Sequence, residues 1–332
     1  MRTERGLERS LNQGTHFELL YELSSSSLGA LWLGRTVGGR ESGRPVLLRA
    51  LEPGALNRLE GALMRAATIA HPRLLKTLGV TRIDAVTYLV SEYVEGLPLS
   101  ELARPMHAAA ASVVPEVALR ITLDALLAVA AARDELARFG LKSLPRCLFA
   151  DTAWVASFGE TLLSDAGIAC ELLNQRPAAS ADQPSDVFAA GSLLWELLSG
   201  KRLSNATDLE RVPSIEGLRA LAPSPLPLLQ VVARAVSLDP DKRFASVEAM
   251  AEAIQDLPVH WIATDAEVRA AVEVLAHSMP STMGADGASS GEHEIDPWDT
   301  PTRSLRMRPL PTANAQEAAT VPPPVPERGP RS

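Results

Sequence analysis

Ser185-Asp186-Val187-Phe188-Ala189-Ala190-Gly191-Ser192-Leu193-Leu194-Trp195-Glu196-Leu197-Leu198-Ser199-Gly200 is the stretch that orders the rest of this chain. It reads as a helix with a glycine stop. The apolar run 187–198 inside it carries Glu196 and falls short of the roughly 18 residues of a membrane span, so it predicts a buried core helix. Working outward, Leu119, Ile121, Leu123, Leu126, Leu127 and Val129 predict a second buried helix after Pro115. Residues 225–236, 246–254 and 265–275 predict three more. Upstream the character changes. Short strand-like runs at 17–23, 30–36, 45–51, 76–83 and 87–94 alternate with turns, and one helical pattern, at 55–70, interrupts them. A small β-rich region followed by a larger α-rich one is an α+β order, with a two-lobe split near Gly96.

The chain has 332 residues, 46% of them hydrophobic and 22% charged, so it can bury a sizeable core. A net charge of −8 with no basic stripe argues against nucleic-acid and anionic-membrane partners. Cys147 and Cys170 form no disulfide framework and no metal spacing, which points to a reducing cytoplasm. Residues 1–13 are polar and lack the apolar core of a secretory signal. From Pro280 onward lie ten of the 25 prolines, with many Gly, Ser, Thr and Ala. Such a segment cannot bury enough apolar surface to offset its ordering entropy. The expected division is a flexible leader at 1–16, a small lobe at 17–96, a large lobe at 97–256, a helical extension at 257–278 and a disordered tail at 279–332.

Several local runs together resemble the bacterial-type Ser/Thr protein kinase family. Tyr88-Leu89-Val90-Ser91-Glu92-Tyr93-Val94-Glu95-Gly96-Leu97-Pro98-Leu99 looks like its fifth strand and hinge. The opening helix looks like the one that follows its activation segment. Asp239-Pro240-Asp241-Lys242-Arg243-Phe244 resembles its late Asp-Pro-x-x-Arg-Phe element, and His71-Pro72 the turn before its fourth strand. Ser164-Asp165-Ala166-Gly167 resembles its metal-binding Asp-Phe-Gly, with Ala166 in place of Phe. The pieces fall in family order over residues 17–256. The resemblance implies a bilobal protein-kinase-like fold and, in an intact member, transfer of phosphate from ATP with Mg²⁺.

Position by position, that chemistry is depleted. The phosphate-covering loop maps to Ser24-Ser25-Ser26-Ser27-Leu28-Gly29, where only Gly29 of three family glycines remains; a plain polar turn is the competing reading. The third-strand lysine is Arg49, which keeps the charge but not the point contact, or else snorkels from its strand. The helix glutamate that should pair with it is Ala62, and Glu60 lies on another face. The catalytic loop maps to Pro145-Arg146-Cys147-Leu148-Phe149-Ala150-Asp151-Thr152. Cys147 replaces the proton-accepting aspartate, and Thr152 the asparagine that holds a second Mg²⁺. No histidine near Cys147 in sequence would activate it as a nucleophile, so a buried structural cysteine is expected. Asp165 alone survives of the metal and catalytic set. It is either a lone, poor Mg²⁺ ligand or a turn aspartate bonded to its own backbone. Leu47 and Trp154 map to the roof and floor of the adenine pocket, where two large groups would fill the slot; a strand-core Trp154 reads equally well.

Ala166, Pro145 and Ala66 fall where active kinases stack larger groups between the lobes. Asp165 to Asp186 spans only 21 positions, with Pro177-Ala178-Ala179 the nearest remnant of Ala-Pro-Glu. Any nucleotide would meet Gly29, Arg49, the hinge residues Glu92 and Val94, and Asp165. Asp186 and Arg243 match the family's framework residues and are expected to brace the large lobe. In the tail, Trp298 amid acids beside Thr300 and Thr302 marks a docking or phosphoacceptor candidate, and 321–326 favours polyproline geometry.

The expected protein is therefore a catalytically inactive kinase-like scaffold or allosteric regulator in signalling, with no cofactor. Its partners would be proteins, a kinase or a kinase substrate among them. The alternatives are an atypical active Ser/Thr kinase using ATP and Mg²⁺, and a tail-mediated, phosphorylation-dependent adaptor. The Ala- and Arg-rich composition and the bacterial style of the motifs suggest a bacterial cytoplasmic protein.

Overall fold

Alternating Leu and Val residues build the first lobe of the computed structural model, which describes residues 16–39, 41–109, 112–139, 148–172, 183–201, 219 and 224–277. Strands β1 (His16–Ser26), β2 (Gly29–Val37), β3 (Pro45–Ala50), β4 (Thr77–Ile83) and β5 (Val86–Glu92) form one antiparallel sheet in the order β1-β2-β3-β5-β4. β1 begins at His16, inside the stretch expected to be leader. Helix α1 (Ala55–Ala66) lies under the sheet because Ala55, Leu59, Ala62, Leu63 and Ala66 recur on one face, and all five are buried. It stops at Ala66, short of the 55–70 expected from the pattern.

The second lobe is helical. β6 (Gly96–Pro98) leads into α2 (Leu99–Ala109), followed by α3 (Pro115–Ala137). Pro115 opens α3 in the first turn, where its missing N–H costs nothing. At 23 residues α3 runs about 35 Å and is the large lobe's axis. β7 (Ala153–Ala156) and β8 (Thr161–Leu163) complete a small sheet in the order β6-β7-β8. Short α4 (Ala169–Leu172), then α5 (Gln183–Ser199), α6 (Leu226–Ala235), α7 (Val247–Gln255) and α8 (Asp265–His277) follow. Ser246 caps α7 through Ala249 N–H at 3.2 Å. Thr264 and Glu267 form a reciprocal capping box on α8. The Glu267 carboxyl is held below its ordinary pKa by those hydrogen bonds from Thr264.

Two features tie the lobes and the extension together. The chain between α1 and β4 hydrogen-bonds to β8: Leu75 N–H donates to Leu163 O, and Leu163 N–H to Arg73 O, each at 2.9 Å. Buried Asp124 on α3 accepts from Arg120 Nε (3.0 Å), Arg73 Nη1 (3.4 Å) and the Thr161 amide (3.3 Å). Arg120 also reaches Asp265 at the start of α8 through Nη2 (2.5 Å). Gly159 backs directly onto Asp265; a Cβ there would sit 2.1 Å from the Asp265 carbonyl oxygen, and its φ is +106°. No described helix is long and apolar enough to cross a membrane.

Candidate functional site

β3 carries Arg49 inward, and β8 runs into Asp165, so the two arrive at the same point between the lobes. Arg49 is 1% exposed and Asp165 3%. Arg49 Nε and Nη2 converge on the one Oδ2 oxygen at 2.9 and 2.8 Å. Nη1 makes a long contact to Gly29 O and Nη2 one to Asp151 O, both 3.5 Å. Ser164 Oγ donates to the same Asp165 oxygen at 3.3 Å. One guanidinium thus joins β3, the β1–β2 turn, the segment before β7 and the Asp165 loop. Arg49 does not snorkel, because no water-facing route leads from this position on the central strand. Asp165 sits in the left-handed region, φ +52°, and its carbonyl accepts from Ile168 and Ala169 N–H at 3.0 and 3.1 Å. Its carboxylate faces Arg49 and the Ser164 hydroxyl, and among the described residues no backbone amide donates to it.

The helix position opposite Arg49 is Ala62, buried in an apolar cluster with Leu51, Leu59, Leu63, Ala66, Val80 and Leu89. Leu28 from the β1–β2 turn and Ile168 and Leu172 from the segment after Asp165 join the same cluster. Leu28 is the surprise. The turn folds its side chain in against α1 and the segment after Asp165, and the Leu28 N–H donates to Ser26 Oγ (3.2 Å). The serine run pairs as strand through Ser26↔Gly29. Gly29 itself has a packing reason: φ is +101°, and a Cβ would lie 2.2 Å from Ala50 O. Leu28 was readable as an apolar residue amid serines, but its direction depends on α1, which lies far along the chain.

Thr152 is buried, and its hydroxyl is engaged with Phe149, accepting from the amide (3.0 Å) and meeting the carbonyl (3.1 Å). Glu92 takes the Lys76 N–H on its carboxylate (2.7 Å) and donates its own amide to Lys76 O (2.9 Å). Val94 O accepts from the Trp154 indole at 3.1 Å. Leu47 and Trp154 pack in one cluster with Leu23, Leu31, Leu33, Leu75 and Leu162. Between Leu31, Leu47, Arg49, Leu89, Ser91, Ser164 and Asp165 the remaining cavity is about 10 Å³, room for one water.

Outside this seal lies an open polar cleft of about 780 Å³ lined by Ser25–Ser27, Ser100, Glu101, Arg104, His107, Asp151 and Lys201. Glu101 bonds Arg104 (2.5 Å), and His107 Nε2 meets Glu196 (2.7 Å). Ser100 is 8% exposed, and its Oγ has no partner among the described residues.

Asp186 is fully buried, accepting Arg133 Nη2 on Oδ2 (2.6 Å) and the Leu148 amide on Oδ1 (3.3 Å). It therefore links α5 to α3 and to the segment before β7; Arg133 was not anticipated, being one arginine among many on a long helix. Arg243 Nε donates to Ser237 O (2.7 Å), and its guanidinium lies 4.7 Å from the Phe188 ring centre. Pro145, Cys147, the Pro177–Ala179 remnant, Trp298, Thr300, Thr302 and the tail from 279 lie outside the described residues. Among the described residues no three His, Cys, Asp or Glu side chains cluster to hold a metal ion. The Arg49 contacts and the Ser164 hydroxyl all fall on Oδ2 of Asp165, the carboxylate that the resemblance makes a Mg²⁺ ligand.

No family model matches the chain. The Serine/threonine-protein kinase PrkC of Bacillus subtilis (strain 168) is 24% identical over 226 residues, 59% of this chain and 33% of that protein. The chain thus spans about a third of the length of the curated relative it matches. The Mycobacterium tuberculosis PknI kinase domain superposes with TM-score 0.53 at 19% identity, covering 72% of this chain and 94% of that one. A double mutant of it gives 0.52 at 21% identity, covering 72% and 95%. The strand order, the two lobes and these likenesses agree: the chain has the bilobal protein-kinase fold.

Proposed function

We propose that this chain is a catalytically inactive kinase-like protein that serves as a scaffold or allosteric regulator in signalling. The buried Arg49–Asp165 pair is the observation that carries the reading. Phosphoryl transfer needs a cation on the nucleotide phosphates and a carboxylate on Mg²⁺. Here both candidate groups are committed to each other. Releasing Asp165 to a metal would leave a buried guanidinium without its counter-ion, at a cost of about 3–5 kcal/mol. Thr152, engaged with Phe149, and Ala62, deep in an apolar cluster, give no replacement ligand. The partner in this reading is another protein, a kinase or a kinase substrate, in a bacterial cytoplasm.

The test is phosphate transfer by purified protein with ATP and Mg²⁺, alongside thermal unfolding at millimolar nucleotide. The expected result is no transfer and no shift; a bound ligand at a hundred times its Kd would add about 2.7 kcal/mol. Robust transfer that Asp165→Ala abolishes would overturn the reading. The second reading, an atypical active kinase, is favoured by one observation: the 780 Å³ polar cleft carries Asp151, a carboxylate with no ion pair among the described residues. It predicts a clear thermal shift with Mg-ATP and transfer sensitive to Asp151→Ala.

A further inference from the structure

Trp154 stands on β7 in the helical lobe, yet its side chain packs against Leu23, Leu31, Leu33 and Leu47 from the first three strands of the other lobe. Its indole Nε1 donates to Val94 O, in the segment joining the lobes, at 3.1 Å. The Tyr93 ring meets it edge-on, centres 6.3 Å apart at 84°. Gly96 makes the approach possible: a Cβ there would lie 2.9 Å from Nε1 and 2.3 Å from Val155 O. Trp154 is 0% exposed.

We infer that this slot is a heterocycle-binding site whose ligand is the chain's own Trp154 indole. It is shaped for a planar aromatic ring with one N–H directed at the Val94 carbonyl. Three separate parts of the fold converge on the ring: apolar strands above, the connecting segment at its polar edge, and β7 beneath. A buried indole must satisfy its N–H, and here the acceptor comes from the segment joining the lobes rather than from Trp154's own lobe. The consequence is regulatory. The lobes are bridged from within, so their closure does not wait on a nucleotide. This goes beyond inactivity, since a chain can lose catalysis and still bind ATP to close.

Chemical complementation tests it. Trp154→Ala is expected to lower Tm by roughly 10 °C and to leave an apolar cavity. Millimolar indole should restore at least about 3 °C of that, and indene, the same shape without the N–H, distinctly less. Equal restoration by indene, or none by either, overturns a directed site. Should the alanine variant not fold, Trp154→Phe keeps a ring and loses the donor. Its backbone amides at 92–97 should then exchange hydrogen faster than in the wild type. Unchanged exchange overturns the proposal, as does stabilisation of the wild type by free adenine. Complementation is read in the variants whatever the wild type does with phosphate, so failure here and failure of the inactive reading are separable.

Discussion

The crevice between the lobes holds two regions of opposite character, a few residues apart in sequence. Behind the β1–β2 turn it is filled: Leu28, Leu47 and Trp154 occupy it, and the Arg49–Asp165 ion pair is buried in it beside room for one water. In front of the turn it is wide and polar, with Ser100, Arg104, Asp151 and Lys201 facing about 780 Å³. Asp151 and Thr152 are neighbours in the chain, yet the first lines the open cleft and the second is buried. The fold fills the space around the buried ion pair and leaves the cleft in front of it open. Substitutions should therefore be costly behind the turn and nearly silent in front of it.

The largest effect is expected from Arg49→Ala, which strands a buried Asp165 carboxylate. A loss of about 3–5 kcal/mol in urea unfolding is expected, with part of it recovered in Arg49→Leu/Asp165→Asn, which removes both charges and keeps at 165 a residue that tolerates φ +52°. A single-variant loss below about 1 kcal/mol would break the contrast between the two regions. Leu28→Ala follows, at about 2–3 kcal/mol, since it empties the plug between the turn and α1. An exposed-loop cost of a few tenths would place that side chain in solvent. Ser100→Ala in the open cleft should fall within about 0.5 kcal/mol of wild type or slightly above it, because its hydroxyl leaves no partner behind. A marked loss there would mean the cleft is structurally committed.

The smallest effect concerns pH and lies outside both regions. Glu267 has a folded pKa below its ordinary value because Thr264 hydrogen-bonds the charged form. A depressed carboxyl pKa adds stability that is present above the unfolded value and is lost as pH falls through the folded one. Amide protection of α8 should therefore decline at acid pH in the wild type and become flatter with pH in Glu267→Gln, measured by hydrogen exchange.

The lobes were legible because short-range patterns carry them. The short apolar runs at 45–51 and 87–94, the Pro115 start of α3 and the glycine after α5 each act within a few residues. Helix ends were less so: α1 stops at Ala66 because the chain turns there to reach β8, a contact made over nearly a hundred residues. At the site, the absences were readable, since Ala62 and Thr152 lack the required groups whatever their surroundings. What those absences led to was not. Arg49 and Asp165 are 116 positions apart, and nothing in either local run says that one will bind the other.

The sequence by itself determined two lobes and their order, because periodicity and residue type are local properties. The tertiary structure alone decided that Arg49 neutralises Asp165, that Leu28 turns inward, and that Trp154 bridges the lobes. Each of those depends on which buried group lies within a few ångströms of a charge, a void or an unpaired carbonyl. In a close-packed interior every such vacancy must be filled or paired, and only the assembled chain supplies the partner.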